Sequence, residues 1–355
     1  MIWIFSISPR LRTAALLRSA VVAFPVVLCL PTPHGTHLHR YLYRFSLFLN
    51  IFLFMSSHFF QFERENGYSI IDLVMNKILL INKPEGMTSF AAVSRCRRIL
   101  SEKKAGHTGT LDSNASGLMI VLLGKYTKLL PYCICDHKHY VAQFSFGMRS
   151  DTGDIWGNIL QQKTPGVHTE EELKKISVSF LGESEQIPPM YSAVKVQGKK
   201  LYELARKGKE VDRKPRKIRV SSLKVYPAGD NLYTMDAVVS SGTYIRTLIE
   251  DYAAKLSEFA VMTSLVRTGI EHMTLAQAAD LEQLERGDYP EISPEEIIDP
   301  RYPLIEITDP VPVYHGKPVS LETDEDIVLL TYEGEILAAY EHRNDQEYHC
   351  LRGLW

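Results

Sequence analysis

From Ala105 to Gly117 the chain reads Ala-Gly-His-Thr-Gly-Thr-Leu-Asp-Ser-Asn-Ala-Ser-Gly, so that three glycines and four hydroxylated residues surround one carboxylate, Asp112. The run passes directly into the apolar stretch Leu118 to Leu123. Glycine tolerates positive φ and lets a ligand approach the backbone, which suits a loop that holds a single acid at the rim of a buried strand. A carboxylate held in that way can attack an electrophilic carbon or stabilise positive charge developing on it. Hydrolysis of a glycosidic bond would require a second acid across the bond, and the loop offers none. Composition alone also fits a tight surface turn, and the spacing of the motifs around the loop decides between the two.

Those motifs are specific. The loop resembles the G-H-T-G-x-L-D-x-x-A-[ST]-G motif of the tRNA pseudouridine synthase B family, with Asp112 at the position of the family's nucleophile. In the family's order there follow or precede Ile81-Asn82-Lys83-Pro84-Glu85-Gly86-Met87-Thr88-Ser89, Leu123-Gly124-Lys125-Tyr126-Thr127-Lys128 and Lys138-His139-Tyr140. Beyond them come Ile187-Pro188-Pro189-Met190-Tyr191-Ser192-Ala193-Val194-Lys195, Gly198-Lys199-Lys200-Leu201-Tyr202 and Ser241-Gly242-Thr243-Tyr244-Ile245-Arg246-Thr247. The resemblance extends from about Met75 to Trp355. One departure is Ser113-Asn114, where the family usually has Pro-Leu.

The resemblance implies an α+β fold: a mixed, mainly antiparallel catalytic sheet with flanking helices over residues 75–302, and a shortened β-rich RNA-binding module of PUA type over 303–355. It implies isomerisation of uridine to pseudouridine at position 55 in the T loop of tRNA, on a nucleotide flipped out of its stack. Arg246 would pair with Asp112, where a guanidinium can orient a carboxylate and keep it ionised. Tyr140 would stack beneath the uracil. His107 and Lys128 would hold the extruded nucleotide and its phosphates, with Tyr244, Leu265 and Asp154 in supporting places near the site. The implied partner is the T arm of tRNA; no cofactor and no metal is expected, the chain is expected to act as a monomer, and its place is the cytoplasm.

The residues themselves predict the elements that would position this chemistry. Ile78 to Ile81 reads as a buried strand, and Ser89 is placed to cap a helix running to about Leu100 with Arg95, Arg97, Arg98, Lys103 and Lys104 outside its apolar stripe. Lys125 to Tyr132 reads as a short helix, and Tyr140 opens a strand to Phe146. Thr169 with Glu172, Thr274 with Gln277, and Ser293-Pro294 with Glu296 mark helix starts. Ile245, Leu248, Ile249, Tyr252 and Leu256 recur at helical spacing, so Arg246 sits where a strand gives way to a helix. Asp151 to Asp154 is a turn. From Pro303 onward no long helix is expected, and Ile327–Tyr332, Glu333-Gly334 and Glu335–Tyr340 read as a hairpin.

Charge and cysteine usage bound the partners. The 355 residues carry a formal net charge of −2, yet six arginines oppose three acids in residues 1–74, which leaves the remainder more acidic than the whole. An RNA site must therefore be a local basic face, and Lys199 to Arg219, with Lys207, Lys209 and Arg213, is the densest candidate for backbone phosphates. Five cysteines without framework spacing favour a reducing compartment, and Cys133-Ile-Cys135-Asp-His137-Lys-His139 alternates its potential ligands too closely to close a zinc tetrahedron. Residues 1–74 contain only interrupted apolar runs, shorter than the roughly 20 clean residues of a membrane span. A targeting segment or anchor is one reading of them, but the expectation is that the natural start is Met75 and that the upstream residues are an over-long reading of the gene. A non-catalytic RNA-binding or RNA-folding protein is the rival class; it would need the basic face and the β module, but not Asp112 together with Tyr140 and Arg246.

Overall fold

The computed structural model describes residues 76–196 and 198–355; the reading of residues 1–74 as a misread start lies outside the described residues. The first strands are β1 (Ile78–Lys83), β2 (Ala105–His107), β3 (Ser116–Leu123), β4 (His137–Phe146), β5 (Met148–Ser150), β6 (Ile159–Gln162) and β7 (Gly182–Gln186). A small hairpin, β8 (Lys195–Val196) with β9 (Lys199–Lys200), precedes the long strands β10 (Arg216–Gly229), β11 (Leu232–Ser240) and β12 (Ala260–Ile270) and the short β13 (Met273–Thr274). Nine of them form one sheet, with β1-β3-β12-β4-β11-β10-β7 in order, β2 on β3 and β13 on β12. Every strand pairing in it is antiparallel except β3 with β12, which run parallel and share only Val266↔Ser116 and Arg267↔Gly117. That short parallel junction closes the end of the Asp112 loop.

Both faces of β1 and β3 are covered, which is why their sequences are continuously apolar. Leu79, Ile81, Met119, Val121 and Leu123 share one apolar cluster with Tyr140, Ala142 and Phe144 of β4. Over that face lie helix α1 (Ser89–Ile99) through Val93 and Cys96, and the later helix Ile245–Lys255 through Leu248, Ile249 and Tyr252. Ile78, Leu80, Leu118, Ile120 and Leu122 face the other way, against Ile297, Ile298, Leu329, Ile336, Ala339 and Leu354. The C-terminal strands therefore share a core with the main sheet. Burying each such Leu or Ile stabilises by about 1.5–3 kcal/mol relative to exposure.

The C-terminal β-rich part is a five-stranded sheet, β14 (Leu304–Glu306), β16 (Ile327–Tyr332), β17 (Glu335–Asn344), β18 (Glu347–Gly353) and β15 (Val319–Ser320) in spatial order. The expected hairpin is β16–β17, turning at Glu333 and Gly334, both with positive φ. Its one helix, Val311–Tyr314, spans a single turn.

Two local readings change. Thr88, not Ser89, caps α1, its Oγ1 accepting from Ala91 N at 3.1 Å. The Ser89 hydroxyl instead donates to Leu111 O and accepts from Leu111 N, both at 2.8 Å, tying the helix start to the residue before Asp112. Strand β4 begins three residues before Tyr140, at His137, because pairing with β11 continues through His139, Lys138 and His137. The short helix expected after β3 forms as a 3-10 helix, Gly124–Tyr132, with Pro131 inside it. The capping box of Thr169 and Glu172 forms as read and starts α2 (Glu170–Val178). Among the described residues no helix is long and apolar enough to cross a membrane.

Candidate active site

The Asp112 loop hangs between β2 and β3 and is held along its backbone. Ser113 O accepts from Gly86 N at 2.9 Å and from Lys83 Nζ at 3.4 Å, and Leu111 is fixed by Ser89. The Asp112 side chain itself remains 47% exposed, so the backbone is rigid while the carboxylate is open to a ligand. Ser113 Oγ donates to Asn114 Oδ1 at 3.5 Å.

Opposite the carboxylate stands Arg246, whose side chain is 6% exposed and whose Nη2 lies 2.9 Å from Asp112 Oδ2. Its other contacts aim it: Nη1 donates to Thr152 O at 2.8 Å, Nη2 to Tyr191 O at 3.0 Å, and Asp154 Oδ2 lies 3.9 Å from Nη1. A planar guanidinium with several fixed donors is suited to this, since each carbonyl removes one rotational freedom of the group facing the acid. Asp154 is in turn fixed by Thr152 Oγ1 at 2.7 Å and Trp156 N at 3.2 Å. Its loop is strapped to β12 by Ile155 N to Met262 O and Met262 N to Gly153 O.

Arg246 is the second residue of its helix, and the start of that helix is set by a residue that sequence reasoning missed. Buried Gln186, at the end of β7, accepts from Tyr244 N at 2.8 Å and donates to Tyr244 O at 3.1 Å. Tyr244 is the N-cap and has no side-chain cap of its own. Nothing in the local sequence marks Gln186 except its place just before Ile187-Pro188-Pro189.

Tyr140 and Leu265 are both buried and belong to the same apolar cluster as Leu111 and Ala115, which flank Asp112 in the loop. His107, at the end of β2, is half-buried; burial first, and the Arg267 charge second, push its imidazole below the usual histidine range. It therefore stands neutral at pH 7. Lys128 lies elsewhere: its ammonium donates to Gly353 O at 2.6 Å and Trp355 O at 2.9 Å, at the far end of β3 from Asp112. The eight-residue strand spans about 23 Å between those ends. Arg213 also turns inward, Nη1 donating to Pro188 O at 3.2 Å and Nη2 meeting Glu210 at 3.3 Å, whereas Lys207 and Lys209 are exposed. Lys128 and Arg213 thus each hold backbone carbonyls of the fold.

Three buried cations lie under the loop: Lys83, Lys138 and Arg267. Lys138 Nζ donates to Ser241 Oγ at 2.9 Å, and its pKa is lowered by burial and then by Arg267. Lys83 Nζ donates to Pro84 O at 2.8 Å and Met87 O at 2.6 Å besides Ser113 O. Burial brings the Lys83 pKa down to about 8, against the opposing attraction of Asp112 and Glu85. The unfolded chain ionises near 10.5, so below pH 8 the native state carries the full cost of a buried ammonium. Between 8 and 10.5 the unfolded chain holds the extra proton and this group's contribution to stability rises with pH. The difference in melting temperature between the parent and Lys83→Met should therefore shift in the parent's favour over that window; melts in half-unit steps check it, and a constant difference would show that Lys83 does not titrate there.

Among the described residues no group of three or more His, Cys, Asp or Glu side chains could hold a metal ion. Cys133 and Cys135 are free, and His139 pairs with Asp236 at 2.8 Å.

Residues 97–245 match the sequence profile described as the TruB family pseudouridylate synthase N-terminal domain. The chain is 35% identical over 283 residues to tRNA pseudouridine synthase B of Mesoplasma florum, covering 79% of this chain and 99% of that one. It is 42% identical over 217 residues to tRNA pseudouridine synthase B of Oenococcus oeni, covering 59% and 73%. In fold it is similar to a chain in the crystal structure of a Cbf5-Nop10-Gar1 complex, with TM-score 0.57, 22% identity, and 81% and 88% coverage. A chain of an H/ACA RNP bound to a substrate RNA containing 2′-deoxyuridine gives TM-score 0.56 at 20% identity, with the same coverage.

Proposed function

The chain belongs to the TruB family of pseudouridylate synthases, and from that membership we propose that it isomerises the uridine at position 55 of the tRNA T loop, with Asp112 as nucleophile. It is an isomerase that forms pseudouridine in tRNA. The reaction breaks the bond from C1′ to N1, turns the freed uracil, joins C5 to C1′ and moves the C5 proton off the ring while N1 regains one. Atoms and electrons balance within the nucleotide. The observation that carries the proposal is the 2.9 Å pair of a half-exposed Asp112 with a buried Arg246 that is held on every side.

In this reading Arg246 aims the carboxylate at C1′, Tyr140 stacks under the extruded base, and Leu265 closes the apolar wall beside it. His107, neutral, contributes hydrogen bonding and not charge. A uridine must leave its stack before C1′ can be reached, which costs a few kcal/mol that stacking and phosphate contacts offset. Residues 75–302 carry the chemistry and 303–355 form a shortened RNA-binding module of PUA type. The test is tritium release from C5-labelled uridine in a T-arm transcript: one tritium per transcript is expected, and none when the target uridine alone is unlabelled. Tight binding with no release would favour the non-catalytic RNA-binding alternative.

Lys207 and Lys209, exposed beside the short helix α3 (Leu201–Ala205), supply backbone phosphate contacts in this reading. Replacing both by Ala should weaken tRNA binding and lower the slope of log affinity against log salt by roughly 0.7–0.9 for each phosphate that a lysine no longer neutralises. An unchanged slope in the titration series would mean that they are only solvated.

A further inference from the structure

Arg267 is completely buried in β12, and among the described residues it forms no ion pair. Its charge reaches Lys83, Lys138, His107 and Cys135, and lowers the pKa of the two lysines and the histidine. Desolvating a guanidinium without a carboxylate partner is costly, so an apolar side chain of similar length would suit this position better if packing were its only role. What the guanidinium does is reach both ends of the Asp112 loop. Nε donates to Leu118 O at 2.7 Å, just after the loop, and Nη2 donates to Gly109 O at 3.1 Å, just before Asp112.

The backbone of Arg267 holds the same loop a second time. Gly117 pairs with Arg267 across the parallel junction of β3 and β12, and has φ +113. A Cβ on Gly117 would lie 2.3 Å from Arg267 O and 2.7 Å from Arg267 N, so no other residue type fits without separating the strands. At the loop's entrance, Gly109 leaves room for Lys138 Nζ and Arg267 Nη1, which lie 3.2 Å and 3.5 Å from where its Cβ would be. One residue thereby joins the entrance, the exit and the sheet on which Leu265 and Tyr140 also stand.

We propose that Arg267 is a positioning residue for Asp112: by bridging Gly109 O and Leu118 O it sets the distance and angle at which the carboxylate meets C1′. The proposal rests on the reading of Asp112 as nucleophile. A neutral, similarly long Met keeps the packing and removes both bonds, and a misplacement near 1 Å of a reacting group costs on the order of 10²-fold in rate. Arg267→Met is therefore expected to lower kcat by about 10²-fold with KM and tRNA affinity within about threefold. Arg267→Lys, which keeps the charge and can reach one carbonyl at a time, should recover about tenfold of that loss.

The test is single-turnover tritium release for both variants at a temperature well below their measured melting points, with hydrogen exchange of residues 108–118 followed in parallel. Faster exchange confined to those residues, the kcat loss and the partial rescue by Lys are the expected results. A folded Arg267→Met protein with parental kcat overturns the proposal, and so does a loss that falls on KM instead. If neither variant folds, Arg267 supports the whole fold and the specific positioning claim is rejected. Failure of the Asp112 reading is separate, because it would show as activity in Asp112→Asn with Arg267 intact.

Discussion

Asp112→Asn is expected to stop isomerisation, lowering turnover by about 10⁴-fold or more, while the protein folds and binds tRNA with nearly parental affinity. Asparagine keeps the size of the side chain and an oxygen that can accept from Arg246 Nη2, which lies 2.9 Å from the acid. It lacks the negative charge and the nucleophilic oxygen pair. The loop backbone does not depend on the carboxylate, since Leu111 and Ser113 are held through Ser89, Gly86 and Lys83. A turn-stabilising aspartate would behave differently: losing one capping or turn interaction costs about 0.5–2 kcal/mol, which lowers the melting temperature and leaves chemistry intact. Tritium release beside a binding titration separates the two, and release near the parental rate would remove Asp112 from the mechanism.

Arg246→Met carries the second-largest expected effect. It removes every fixed contact of the guanidinium at once, to Asp112, Thr152 O, Tyr191 O and Asp154. Removing one partner of a buried pair costs about 3–5 kcal/mol, and the exposure of Asp112 to water places this case at the lower end. Turnover should fall by roughly 10²–10³-fold, mainly in kcat, with a measurable loss of stability because the carbonyls of Thr152 and Tyr191 lose their donors. Arg246→Lys should fall between, since one ammonium cannot fork to Thr152 and Tyr191 while facing Asp112. Steady-state kinetics on all three proteins checks the order; equal kcat in parent and Met variant would leave Arg246 with a structural role alone.

The parts of this site that were legible in the sequence are those written in contiguous signals. The glycine-rich run marked the Asp112 loop, and the switch from a strand to a 3.6-residue period located Arg246 at a helix start. The β-rich end followed from its hairpin pattern, whereas the mixed sheet came from the family resemblance and not from any local pattern. What depended on long-range contact was not legible. Thr88 and Ser89 are both good caps, and only the meeting of Ser89 with Leu111, 22 residues on, decides between them. Lys138 and His139 hid the start of β4 because burial alternates along the strand while a lysine, Lys138, occupies a buried position where the pattern calls for an apolar residue.

Charges were the least readable feature, because sequence gives their sign and not their direction. Lys128 and Arg213 are both basic, yet one binds the carbonyls of Gly353 and Trp355 and the other binds Pro188 O. Conversely Arg267 and Lys83, unremarked as site residues, lie buried beneath the loop. Gln186 left no local signal, since its work is to bind the backbone of a residue 58 positions away.

The most direct test maps pseudouridine at every tRNA uridine in cells lacking this protein, after return of either the parent or Asp112→Asn at matched levels. The account predicts that the parent restores pseudouridine at position 55 of the T loop and that Asp112→Asn leaves that uridine unmodified. Restoration by Asp112→Asn, or a position 55 that stays modified when the protein is absent, would contradict it.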